Sequence, residues 1–175
     1  MVIDIYRADL WQNFFLMVGG GAAALTGLVF VALALNLEVI AHDATHTYRA
    51  IGTLAGFSAV FVTCALVLMG GQGHTWVGAE WLATAGIATI IYVNGYVRAM
   101  RSGQSAVGLG TGRLVIGTTC YLAEVAGAFL LMLGQAAGIY LAAAAMTALV
   151  AFMISGAWLL VAGVHRDVHP RESAR

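Results

Sequence analysis

Glu124 is the residue best placed to do chemistry, because it interrupts an otherwise charge-free run from Leu114 to Val164. A carboxylate in the middle of an apolar helix costs at least about 2.5 kcal/mol to place in lipid if ionised. It should therefore be neutral, paired or facing water. Helical spacing surrounds it with Gly117, Cys120, Tyr121, Gly127 and Ala128, a small and polar face expected to turn inward. Tyr121, Thr84, Thr89 and Asn94 are the expected hydrogen-bond partners. Three roles stay open: a structural carboxylic acid, a proton or cation site built on Glu124, Tyr121 and Glu38, or a contact with another protein.

Glu38 enters that set because a stripe of small residues leads to it. Gly20, Ala24, Gly27, Val31, Ala34 and Glu38 recur at alternating intervals of four and three, and Gly19, Ala23 and Gly27 form a parallel row. Small residues let helix backbones approach until van der Waals contact replaces the hydrophobic drive that lipid does not supply. Gly20, Ala24, Gly27 and Ala34 thus mark a helix-packing interface, within one bundle or between subunits. The alanines at 142–145, with Ala148, Ser155, Gly156 and Gly163, offer a similar surface near the C-terminus.

A metal set is the other chemical option. Glu38, His42 and His46 share one face if a helix continues through them, with Asp43 beside them, and His165 and His169 repeat the four-residue spacing around Asp167. Imidazoles and carboxylates so spaced bind zinc or another divalent ion, or simply sit solvated at a membrane interface. No other cofactor is indicated. The glycine runs at 19–21 and 108–112 have neither the lysine nor the strand-to-helix setting of a phosphate loop. No serine has the surroundings of a nucleophile elbow. Cys64 and Cys120 lie in apolar runs, which suits inert packing better than a disulfide or zinc framework. A non-catalytic protein is expected.

The elements that position these groups follow from charge and hydropathy. Hydrophobic residues make up 61% of the 175 residues and charged ones 9%, too little charge to clothe a soluble surface. There is no lysine and the formal net charge is zero, which removes the basic footprint of nucleic-acid binding. Intervals between charges, measured against about 20 residues per crossing, predict an all-α integral membrane bundle of five transmembrane helices near 11–38, 50–70, 78–98, 114–133 and 139–164. The residues from 134 to 138 form the last turn, and 165–175 a cytoplasmic tail, in one transmembrane domain spanning 1–175. The acidic first nine residues argue against a cleaved signal peptide.

Five crossings put Arg49, Arg98, Arg101, Arg113, Arg166, Arg171 and Arg175 on one side and Arg7 alone on the other. The positive-inside rule then predicts an outside N-terminus and a cytoplasmic C-terminus. Trp11, Trp76, Trp81 and Tyr140 fall at the outer aromatic belt, and Tyr48, Tyr96 and Trp158 at the inner one.

The stretches at 22–32, Arg49-Ala50, Gly78-Ala79-Glu80, and Gly138-Ile139-Tyr140 through Trp158-Leu159-Leu160 resemble a group of small bacterial multi-pass membrane proteins. Some of that group carry the label modulator of FtsH protease. The resemblance implies a bundle in the bacterial cytoplasmic membrane, supplies no catalytic residues, and adds modulation of a membrane protease as one function. Together these readings favour a non-catalytic, oligomeric assembly or regulatory component in the lipid bilayer, joined to copies of itself or to other membrane proteins. The alternative is a homo-oligomeric proton or cation channel using Glu124.

Overall fold

The computed structural model describes residues 5–35, 44–101 and 111–168. They form five helices: α1 Ala8–Leu35, α2 Ala44–Val67, α3 His74–Arg101, α4 Thr111–Met132 and α5 Ala136–Val168. Each is long and apolar enough to cross a membrane. The chain is an all-α, multi-pass membrane protein.

Each helix packs on its neighbour in sequence, and the bundle closes because α5 returns against α2 and touches α1. One end gathers the start of α1, the 68–73 connection and the 133–135 turn. Tyr6 binds there by donating its hydroxyl to the Val67 carbonyl at 3.0 Å, and His74 lies beside Gly134. The starts of α2 and α4 lie at the opposite end with the finishes of α1, α3 and α5.

Lipid tails are as apolar as leucine, so burying large aliphatic side chains gains little and close packing decides what goes inside. Leu10, Leu16, Met17, Leu28, Phe30 and Leu35 of α1 accordingly face outward, while the interior combines alanines and glycines with Phe15, Phe57, Trp81, Leu131 and Met146. Several hydroxyls within the spans are satisfied by their own helix. Thr26, Thr89 and Thr147 donate to the carbonyls of Ala22, Ala85 and Ala143, four residues back, as helices in lipid require.

The last turn is tighter than the expected 134–138 segment. Gly134 has φ +81°, its N–H donates to the Leu131 carbonyl at 2.9 Å, and the Gln135 N–H reaches the Leu130 carbonyl at 2.9 Å. This is a Schellman cap, which satisfies two terminal carbonyls and lets α5 begin at once. Ala136, Ala137 and Gly138 are helical as a result. The other ends also differ from charge-based expectation. α2 starts at Ala44 and α3 at His74, and α5 runs past His165 to Val168, because polar interfacial residues continue a helix that hydropathy alone would stop.

Candidate functional site

Two close approaches fix α4 in its place. A Cβ on Gly78 of α3 would fall 2.6 Å from the Met132 backbone nitrogen, and one on Gly127 would fall 2.5 Å from that of Ala142 in α5. Glycine alone permits such backbone proximity. Glu124 and Trp81 then come to similar depths from the same end, about 12 Å from Met132 and about 10 Å from His74 by helical rise. Glu124 is nearer that end of α4 than the other.

Glu124 is 3% exposed and Trp81 is fully enclosed. Trp81 Nε1 donates to Glu124 Oε1 at 2.9 Å. The indole also meets Phe15 of α1 in a T-shaped contact, with ring centroids 5.5 Å apart and planes at 77°. The carboxyl is thus held by α3 and backed by α1. One turn further along α3, Thr84 shares a 2.6 Å hydrogen bond with Thr63 of α2 and lies within bonding distance of the Glu80 and Trp81 carbonyls. A polar seam therefore joins α2, α3 and α4 inside the bundle.

Trp81 is a correction: placed in the outer belt by its sequence position, it is the hydrogen-bond partner of Glu124 in the core. Trp76, Tyr140 and Trp158 are exposed as interfacial rings should be. Tyr121 is buried near Glu124 on α4, but its hydroxyl lies beside Gly56 and its ring tilts over Tyr92 with centroids 5.1 Å apart. Thr84 bonds to Thr63 instead, and Thr89 to its own helix. Cys64 packs its sulfur 3.9 Å from that of Met146.

The small-residue stripe divides. Gly19 packs on Cys64 and Ala22 is enclosed, whereas Gly20, Ala24, Gly27, Val31 and Ala34 face outward. Nothing lies within 4 Å of a Cβ built on Gly20 or Gly27. On α5 the small surface divides too: Ala142, Ala143 and Ala145 are buried in the bundle, whereas Ala144, Ala148 and Ser155 are exposed.

Glu38, His42, Asp43 and His169 lie outside the described residues. His46 stands in the first turn of α2 and His165 near the end of α5. Among the described residues no three His, Cys, Asp or Glu side chains meet as a metal set. Sequence reasoning also missed Gln72, which donates Nε2 to both carboxylate oxygens of Glu80 at 3.0 Å. Their separation of eight residues spans a connection, so no single helical period links them.

In comparison with known proteins, the chain matches no family model, no curated protein and no solved structure.

Proposed function

We propose that this protein is a non-catalytic component of a membrane assembly that associates with a second copy of itself through α1. The observation behind this reading is the outward groove of that helix. Steps of about 100° per residue put Gly20, Ala24, Gly27, Val31 and Ala34 on a face turned away from the buried line of Phe15, Gly19, Ala22 and Val29, and all five are exposed. Exposed Leu16 and Phe30 flank the stripe on one side, and Met17 and Leu28 on the other. A smooth floor between large walls admits another helix more closely than it admits disordered lipid tails, so van der Waals contact favours a protein occupant. A role in assembly or regulation, of a membrane protease among other complexes, needs no catalytic group and fits the bacterial cytoplasmic membrane.

Gly27→Leu tests the proposal without disturbing the subunit, since open space surrounds position 27. Light scattering in detergent should give an oligomer for the wild type and a monomer for the variant. A monomeric wild type, or an oligomer unchanged by Gly27→Leu, would reject the reading.

The enclosed carboxyl favours a second reading, a proton or cation path that uses Glu124. Trp81 supplies its one hydrogen bond among the described residues, leaving Oε2 to exchange a proton.

A further inference from the structure

Arg113 stands in the first turn of α4, yet its side chain lies across α5. Nη1 donates to Ser155 Oγ at 3.2 Å and Nη2 to the Phe152 carbonyl at 3.3 Å. The guanidinium carbon is 4.6 Å from the centroid of the Phe152 ring, within cation–π range. Gly156 makes room for it, since a Cβ there would come 2.8 Å from Nη2. Ser155 is steadied by donating to the Phe152 carbonyl at 2.7 Å, and Tyr92 of α3 donates to the Arg113 carbonyl at 3.2 Å. Three helices build this seat.

Among the described residues the seat has no anion of its own. A guanidinium has five N–H donors, and two neutral oxygens take two of them. Among the described residues the one ion pair joins Arg7 to Asp9, at the other end of the bundle, where Glu80 also lies. Helical rise puts Glu124 about 16 Å along α4 from Arg113, and Asp167 about 16 Å along α5 from Gly156. The first turn of a helix already carries a positive field, so the arginine adds charge of the same sign. Exposed Arg98, in the last turn of α3, brings a further cation to this end. The α4 span begins at Gly112, which sets Arg113 at the level of lipid headgroups.

We propose that Arg113, seated on Ser155, Phe152 and Gly156, binds the phosphate of an anionic phospholipid, with Arg98 adding to the attraction. Planar donors left over from the seat match phosphate oxygens, and basic pockets between transmembrane helices suit such headgroups. Ile116, Ile154 and Trp158, exposed on the same two helices, give the acyl chains a surface that a free anion does not use.

The test is native mass spectrometry and thermal unfolding of the detergent-purified full chain titrated with phosphatidylglycerol, phosphatidylcholine or inorganic phosphate. Phosphatidylglycerol should remain bound as a discrete adduct and raise the melting temperature, with phosphatidylcholine at least about ten-fold weaker and inorganic phosphate without effect. Arg113→Gln should weaken phosphatidylglycerol by about ten-fold, the scale of one charge-assisted contact, and leave phosphatidylcholine unchanged. Equal binding of the two lipids by the wild type would overturn the proposal even if the variant failed to fold. So would undiminished phosphatidylglycerol binding by Arg113→Gln. Inorganic phosphate that reproduced the full stabilisation would assign the seat to a free anion and overturn the lipid.

Discussion

At the scale of residues, the Trp81–Glu124 hydrogen bond responds differently to loss of its two ends. Trp81→Phe keeps an aromatic ring against Phe15 but removes the only donor among the described residues, leaving a buried carboxyl unmatched at a cost of about 1–3 kcal/mol. Glu124→Gln keeps a carbonyl oxygen for the indole and should cost less than Trp81→Phe. Melting curves in one detergent decide the matter, and equal stability of wild type and Trp81→Phe would show that the bond contributes nothing. The same Gln variant separates the rival functions. If Glu124 serves a proton or cation path, liposomes holding the wild type leak protons or monovalent cations with a pH dependence that Glu124→Gln abolishes; absence of flux leaves a structural carboxylic acid. The sequence exposed the carboxyl because one charge in a long apolar run is conspicuous. Its partner was hidden, since residues 81 and 124 lie on different helices and an indole near a span's end reads as an interfacial ring until the helix rotation is known.

At the scale of elements, charge spacing was enough to count five helices, because about 20 residues must separate aqueous ends. It was a poor guide to where they stop. His74 and His165 are polar, yet the first opens a helix and the second continues one, and the Schellman cap at Gly134 was legible only as a glycine near a glutamine. Two substitutions probe what holds these elements. Gly134→Ala forces a Cβ into the positive-φ region and should cost about 1 kcal/mol. Gly138→Val is harsher, because its Cβ meets the Leu131 backbone nitrogen and the Gly127 carbonyl oxygen. Neither can rotate aside, and overpacking of this kind costs about 1–3 kcal/mol or more. Denaturant midpoints should therefore rank wild type above Gly134→Ala and that above Gly138→Val. A Gly138→Val protein as stable as wild type would mean that α4 and α5 are not packed backbone to backbone. The stripe on α1 shows why periodicity alone leaves its occupant open: the same spacing serves an internal contact at Gly19 and an outward groove at Gly20, one residue away.

At the scale of the whole molecule, the alternating packing sends Arg49, Arg98, Arg101, Arg113 and Arg166 to one end of the bundle and leaves Arg7 at the other. Helix order accounts for this segregation. The direction of insertion is governed instead by the cost of moving short arginine-bearing loops across the membrane, which biases them to the cytoplasm. The connections between α1 and α2 and between α3 and α4 are both short enough to obey that rule. The prediction is an external N-terminus and a cytoplasmic C-terminus. A fluorescent protein that folds only in the cytoplasm, fused after Arg175, should be bright, while a cysteine placed before Val2 should react with a membrane-impermeant maleimide on intact cells. A dark C-terminal fusion together with an unreactive N-terminal cysteine would mean the bundle sits the other way up. The Arg113 seat would then face the outer leaflet, and its phosphatidylglycerol would have to be drawn from there.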